Sequence, residues 1–240
     1  HELRRHYSAR MQASRTFQRF HPLKADEFQY YSQWYWIPVR ELVALAESLG
    51  PAFAGRAEKY DRDASFPHEN YADLKNAGLL GLCVPETFGG KGADLRTYAL
   101  VSATLGKYCG ATALTFNMHA CSTLWPGVLA DELEMTPGQR AEQERYQAVH
   151  FGRVVKNGAI YAQPFSEGSA AAAGRAPFGT LAAKVEDGWR INGKKIFASL
   201  SGAADYYGVL CTEDKPDRSI KDTLYMAVPA DAPGFTITGD

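Results

Sequence analysis

The sequence contains little cysteine and no metal-binding pattern. Only four cysteines occur in 240 residues, at positions 83, 109, 121 and 211. They form no CxxC pair, and no histidine stands near them at the spacing of a zinc site. We therefore expect reduced thiols that fill the core of a cytoplasmic protein, and no bound metal.

The chain also lacks an excess of charge of either sign. Its 26 basic and 27 acidic residues give a formal net charge of -1, which predicts neither a nucleic-acid partner nor a cationic one. Apolar runs end within a few residues, far short of the roughly 20 that a membrane span needs, so no membrane association is expected. The composition, 45% hydrophobic and 22% charged, is that of a soluble globular protein.

Several common catalytic signatures are missing. The sequence has no HExxH, GxSxG, P-loop or GxGxxG pattern, so zinc hydrolysis, serine hydrolase chemistry and Rossmann-type nucleotide binding have no support. The first residue is His1 and not methionine. We expect the sequence to begin inside a longer protein or after a removed tag.

Hydrophobic periodicity predicts helices over roughly the first 150 residues. A basic, aromatic lead precedes a helical pattern that begins near Trp36 and is predicted to stop at Gly50-Pro51. His119 lies in a later apolar helix and is expected to be a satisfied core residue. The further helices are marked by Pro67 and Gly78, by an Asp94 cap, by the apolar run 111–124, and by a Thr136 capping box with Gly152 as the stop.

The pattern changes near Gly158 to short apolar segments separated by turn residues. Asp187-Gly188 and Asn192-Gly193 are strong hairpin signals, because glycine adopts the positive φ that such turns require. Strands are predicted at 159–162, 180–185, 189–191, 195–198, 206–211 and 224–228.

These patterns predict an α+β protein in three parts. A basic lead segment covers 1–33, an N-terminal α-helical domain covers 34–157, and a middle β domain covers 158–240. The β domain is expected to be antiparallel and barrel-like.

Four groups of segments resemble the acyl-CoA dehydrogenase family in order and spacing, over about residues 36–240. In the helical half, residues 78–82 and the turn Val84-Pro85-Glu86-Thr87-Phe88-Gly89-Gly90-Lys91-Gly92 are similar to that family's GLxGL helix end and VPExFGGxG turn. In the β half, the similar segments are Ser166-Glu167 with Thr180-x-Ala182, then 187–199 with its DGxxxNGxKxFxS pattern, and Val228-Pro229 through Phe235.

The resemblance implies a flavoprotein oxidoreductase with FAD, or alternatively FMN, as cofactor. It implies that Gln163, Phe165 and Ser166 contact the pyrimidine edge of the flavin. It further implies that Phe197 forms the aromatic wall and that the Ser199 hydroxyl bonds to N5. Without the resemblance, we would expect Phe197 only in the core and Ser199 only as an edge hydroxyl.

The substrate loop departs from the family pattern. Where the family has TEPxxGSD, this chain has Ser166-Glu167-Gly168-Ser169-Ala170, followed by alanines and Gly174-Arg175. Ser169 is the nearest candidate for the serine that contacts the pantetheine of an acyl-CoA thioester. Arg175 is a candidate for an anionic group of the substrate.

The family resemblance also implies features outside the printed sequence. A C-terminal helical bundle is expected after Asp240, and it would carry the carboxylate base, so no catalytic residue is assigned within this chain. The complete protein is expected to be a homodimer or homotetramer. On this view, the 240 residues are a fragment of a fatty acid metabolism enzyme.

Three functions stay open at this point. The first is α,β-dehydrogenation of an acyl-CoA thioester, with hydride transfer to flavin N5. The second is a reduced-flavin-dependent monooxygenase of the same fold that acts on a small aromatic or sulfur compound. The third is a non-catalytic flavin-binding relative that acts through macromolecular contacts.

Overall fold

The computed structural model describes residues 25–129, 133–169, 171 and 174–239. The chain divides into two units, residues 1–44 and 45–240, and the described residues 25–44 of the first are all helical. Of the predicted lead segment 1–33, residues 1–24 lie outside the described part of the chain. The α-helices are α1 (Ala25–Arg62), α2 (His68–Asn76), α3 (Leu95–Gly106), α4 (Gly110–Leu124) and α5 (Pro137–Asn157).

The predicted stop of the first helix at Gly50-Pro51 is wrong, because α1 continues to Arg62. Gly50 serves packing instead, since a Cβ there would overlap the ring of Tyr108. Tyr108 donates a hydrogen bond to Glu47, which also pairs with Lys107 at 3.5 Å. Tertiary contacts to this helix override the local signal of glycine and proline.

The glycine-rich turn after Pro85 is a close backbone crossing. Gly89 adopts a φ of +87° and ends a 3-10 turn, Glu86–Phe88. A Cβ on Gly90 would overlap the backbone of Val84, and Gly92 donates to the Val84 carbonyl at 2.9 Å. Only glycine fits at position 90, which explains why the motif has two glycines in succession.

The caps of the later helices match the sequence signals, with one exception. Asp94 accepts a hydrogen bond from the Thr97 amide at 2.9 Å, and Thr136 forms the predicted capping box with Gln139. Helix α5 does not stop at Gly152. It ends at Asn157, where Gly158 adopts a left-handed φ of +67° and provides the C-cap that Gly152 was expected to give.

A five-stranded sheet follows the helices, with β4 at its centre. One edge of β4 pairs with β5 along its length, and the other edge pairs with β1 near its start and with β2 at its end. The segment 163–180 leaves the sheet between those two pairings. The strands are β1 (Tyr161–Ala162), β2 (Leu181–Val185), β3 (Gly188–Asn192), β4 (Tyr206–Glu213) and β5 (Thr223–Pro229).

The fold class, helices followed by a β domain, is confirmed, and so is the hairpin at Asp187-Gly188 that joins β2 and β3. The sheet differs from the prediction in being mixed and open, because the β1–β4 and β2–β4 pairs are parallel. Turn signals reveal only the local antiparallel pairs, whereas parallel pairs join distant segments. The predicted strand at 195–198 is reduced to one isolated bridge between Ser166 and Ile196. The division into three domains stays a prediction.

Two buried histidines lie where the helices meet the sheet. The Tyr161 amide donates to Nδ1 of His119 at 3.1 Å, and Nε2 of His119 lies 3.0 Å from the Leu80 carbonyl. His150 contacts the Ser122 carbonyl through Nε2 at 2.8 Å, and its ring packs edge-on against Tyr161. His119 is fully buried with both ring nitrogens bonded, so the prediction of a satisfied core residue is confirmed.

All four cysteines are free thiols, and Cys83, Cys109 and Cys211 are buried as expected. In the described part of the chain, no three histidine, cysteine or carboxylate side chains are grouped to hold a metal ion. None of the described helices combines the length and apolarity needed to cross a membrane.

Candidate functional site

Two segments that are distant in sequence meet beside the sheet. The Ile196 amide donates to the Ser166 carbonyl at 2.9 Å and forms the isolated bridge. The bridge places Ser166 next to the segment that carries Phe197 and Ser199. The structure therefore brings together the two halves of the site that the sequence predicts, although 30 residues separate Ser166 from Ile196.

Phe197 has an exposed ring on a left-handed backbone. Its φ is +58°, and 85% of its surface is accessible. A non-glycine residue in this region costs about 1–2 kcal/mol, and such residues cluster at functional sites. The alternative that Phe197 is merely a core residue is wrong, because its ring is the most exposed large apolar side chain among the described residues.

Ser199 follows in a tight turn and is half-buried. Its amide donates to the Phe197 carbonyl at 3.2 Å, and the Ser201 amide donates to the Ala198 carbonyl at 3.1 Å. Leu200 is buried with a φ of +75°, which fixes the end of this turn in the core. The backbone around Ser199 is therefore held on both sides.

Phe165 stacks on Trp125 from the end of α4. Their ring centroids are 4.9 Å apart, the planes are inclined by 20°, and Trp125 is 39% exposed. Sequence reasoning missed Trp125. The available signal was the Trp125-Pro126-Gly127 run at the end of an apolar helix, where Gly127 breaks the helical backbone with φ -89° and ψ -107°.

Gln163 is buried against β4 and β5, at Gly208 and Tyr225. Its Nε2 donates to the Tyr225 hydroxyl at 3.1 Å, and a Cβ on Gly208 would collide with both side chains. Burial raises the pKa of Tyr225, which keeps this hydroxyl neutral. Oε1 of Gln163 is buried and has no hydrogen-bond partner among the described residues.

Ser169 and Arg175 lie on an exposed loop. Ser169 Oγ accepts a hydrogen bond from the Ala171 amide at 3.3 Å, and the side chain of Arg175 is exposed. Neither has a described hydrogen bond to the segments of Ser166 or Ser199. The assignment of Ser169 and Arg175 to the substrate stays a prediction.

Glu167 is held by three hydrogen bonds at the base of the site. It accepts from the amides of Gly179 and Thr180 at 2.7 and 2.9 Å, and from Lys195 Nζ at 2.6 Å. Burial raises the pKa of Glu167, but these hydrogen bonds outweigh the effect and lower it to about 2.

This group of residues has the chemistry that an isoalloxazine ring requires. Phe197 supplies a flat exposed aromatic face, and Ser166 and Ser199 supply half-buried hydroxyls beside it. The unpaired Oε1 of Gln163 adds a hydrogen-bond acceptor three residues before Ser166 in the chain. An apolar wall with a few placed polar groups is the usual form of a cofactor site, so the residues fit a flavin.

Comparison with known families agrees with the segments identified in the sequence. Residues 44–129 match the model of the acyl-CoA dehydrogenase N-terminal domain, and residues 166–240 match that of the acyl-CoA dehydrogenase middle domain. The two matches together cover more than half of the chain, in the expected order. The chain belongs to the acyl-CoA dehydrogenase family.

Individual relatives share this relationship at low identity. The protein named "Probable acyl-CoA dehydrogenase YngJ" of Bacillus subtilis (strain 168) is 27% identical over 83% of this chain and 49% of its own length. The chain therefore spans about half the length of this curated relative.

Two solved structures have the same fold. Butyryl-CoA dehydrogenase from Megasphaera elsdenii is 25% identical with a TM-score of 0.64, over 83% of this chain and 50% of that chain. Dibenzothiophene monooxygenase (TdsC) from Paenibacillus sp. A11-2 is 21% identical with a TM-score of 0.62, over 83% of this chain and 46% of that chain. Another structure of TdsC contains bound FMN.

Proposed function

We propose that this chain forms the flavin-binding part of an FAD-dependent oxidoreductase that dehydrogenates an acyl-CoA thioester between its α and β carbons. The observation that carries the proposal is the bridge between Ser166 and Ile196, which sets the segment of the exposed Phe197 beside the 163–167 segment. Membership of the family and the likeness to butyryl-CoA dehydrogenase support it.

Bound flavin supplies a hydride acceptor, and the residues of this chain hold and orient it. Phe197 would cover one face of the ring, Ser199 would donate a hydrogen bond at N5, and Gln163, Phe165 and Ser166 would contact the pyrimidine edge. A hydroxyl donor such as Ser199 would stabilise negative charge on the ring and so favour the reduced state. Trp125 supports Phe165 from behind by stacking.

The proposed substrate is a small molecule that enters along the exposed loop. In this proposal Ser169 contacts the pantetheine arm, and Arg175 meets an anionic group of the thioester. Both side chains are accessible to a ligand. The complete protein is proposed to act as a homodimer or homotetramer.

Anaerobic mixing tests the dehydrogenase. The complete protein, loaded with FAD, is mixed with butyryl-CoA and octanoyl-CoA, and the visible absorption band of oxidised flavin is followed. Bleaching by either thioester is the expected result. The Phe197→Ala variant, which is expected to bind flavin less tightly, is the control. A flavin-loaded protein that is not bleached by thioesters of any chain length would sink the proposal.

A second candidate is a monooxygenase that uses reduced flavin, with FMN as the alternative cofactor. The observation that favours it is the loop of Ser169 and Arg175, which departs from the family's GSD pattern. The fold is compatible with this chemistry, since TdsC shares it. Weak binding of oxidised flavin, with product formed only when a flavin reductase is present, would favour this candidate over the dehydrogenase.

A further inference from the structure

A buried ion pair joins the two segments of the flavin site. Lys195 Nζ lies 2.6 Å from Glu167 Oε1, and the two side chains are only 10% and 8% exposed. Lys195 also lies 3.5 Å from the Phe165 carbonyl and 4.4 Å from the centre of the Phe178 ring. The pair thus contacts both the 163–167 segment and the turn at 178–180.

The pair adjoins the bridge on both sides. Glu167 follows Ser166 directly, and Lys195 precedes Ile196 directly. The bridge itself is isolated and lies outside the regular strands. The charged pair is therefore a second described contact, beside the bridge, that joins the segment of Phe197 and Ser199 to that of Ser166.

A gain in folding free energy does not by itself explain why this charged pair is buried. Burying two charges removes their hydration, and the attraction regained inside the protein often no more than offsets that loss. A hydrogen-bonded pair does fix geometry, because each bond restricts both direction and distance. Glu167 has all its described hydrogen bonds directed at fixed points, namely two backbone amides and one ammonium group.

We propose that Glu167 and Lys195 are positioning residues of the flavin site, which hold the turn of Phe197 and Ser199 in place against the 163–167 segment. Neither residue needs to touch the flavin. Loss of the pair lets the turn move, so the aromatic wall and the hydroxyl no longer meet the ring together. The flavin part of this inference rests on the proposed function.

The test uses the whole chain with Lys195→Met, which keeps much of the apolar stem and removes the charge. Lys195→Arg retains the charge, and Arg56→Met is the matched control, because Arg56 pairs with Asp73 at the same 2.6 Å in the helical half. Hydrogen exchange at the Ile196 amide is measured without flavin. Dissociation constants for FAD and FMN are measured by flavin fluorescence.

We expect Lys195→Met to speed exchange at Ile196 and to weaken flavin binding by about tenfold or more, the scale of effect when a site loses its supporting contacts. Lys195→Arg should recover part of both, and Arg56→Met should change neither. Should Lys195→Met fold too poorly to study, Glu167→Gln gives the same readouts, because it removes the charge and one of the two carboxylate acceptors.

The exchange and flavin-binding measurements distinguish failure of the positioning role from failure of the proposed function. Unchanged exchange at Ile196 in the folded variant would overturn the positioning role, whatever the flavin result. Equal loss of flavin affinity in Arg56→Met would also overturn it, because the effect would then be general destabilisation. Faster exchange together with no flavin binding by the unmodified chain would overturn the proposed function and the flavin part of this inference.

Discussion

Trp125 and Phe165 stack with their ring centroids 4.9 Å apart, although one ends a helix and the other follows a strand. The contact connects the end of α4 to the segment that carries Ser166. Trp125 is 39% exposed, so part of the indole stays accessible next to the proposed flavin site. We therefore expect a shift of the end of α4 to displace Phe165 through its stacking contact with Trp125.

Replacing Trp125 should weaken both stability and flavin binding. Trp125→Ala removes the stacking, which is worth about 0.5–1.5 kcal/mol beyond burial, and frees Phe165 to turn away from the pyrimidine edge. Urea denaturation and flavin titration measure the two effects. Trp125→Phe keeps an aromatic partner and should retain most of the affinity. Equal affinity in Trp125→Ala and the parent protein would exclude this supporting role.

Two substitutions of Phe197 should distinguish the cost of its left-handed backbone from the role of its ring in flavin binding. Phe197→Gly removes the cost of the left-handed backbone, whereas Phe197→Ala retains it, and the ring buries little surface in the flavin-free protein. We expect the glycine variant to be more stable than the alanine variant by about 1 kcal/mol, after allowance for the greater freedom of glycine in the unfolded chain. Thermal unfolding without flavin measures the difference.

Both Phe197 variants should lose flavin affinity to a similar extent, because both lack the ring. A glycine variant that is no more stable than the alanine variant would show that the backbone at 197 is not strained. Unchanged flavin affinity in both would remove Phe197 from the site.

Ser199→Ala should slow reduction of the flavin while the fold stays intact. Loss of one hydrogen-bond donor to a developing negative charge commonly costs about tenfold or more in rate. Stopped-flow reduction by the substrate measures the rate, and circular dichroism checks the fold. Ser201→Ala, two residues further along and exposed, is the control. Identical reduction rates in the parent and Ser199→Ala proteins would rule out a contact at N5.

Stability should fall as the pH falls from about 6.5 to about 4. Burial lowers the pKa of His119 and of His150 to about 4, so between these values the unfolded chain binds protons that the folded chain excludes. Folding thus loses up to about 3 kcal/mol for each histidine by the lower end of the range. The Tyr161 amide donates to Nδ1 of His119, which leaves no room for a second ring proton.

Urea denaturation at several pH values checks this dependence. His150→Gln should flatten the slope between pH 6.5 and 4. A slope that is the same in the parent and the His150→Gln protein would mean that other groups account for the acid sensitivity.

Sequence patterns predicted what depends on local contacts. The caps at Asp94 and Thr136 and the hairpin at Asp187-Gly188 each depend on a few neighbouring residues, and each is found as expected. Gly50 misled the prediction because its role is set by Tyr108, far along the chain.

In the site too, local patterns predicted some features, whereas contacts between residues distant in sequence determine the others. The family pattern indicated Phe197 and Ser199, but periodicity suggested a strand where the structure has a strained turn. Trp125 and the ion pair of Glu167 with Lys195 have their effect through partners that no local pattern reveals. Gln163 lies against Tyr225, a contact that depends on how β5 pairs with β4.

The central place of β4 in the sheet sets an order for folding. Strands β1 and β2 both precede β4 in the chain, and both use its edge as a partner. Hairpin β2–β3 can form from neighbouring residues, but β1 has to wait until β4 has been synthesised and has found it. A nascent chain halted before Tyr206 would therefore carry an unpaired β1, and the contact of Gln163 with Tyr225 would form only after β5 had been synthesised.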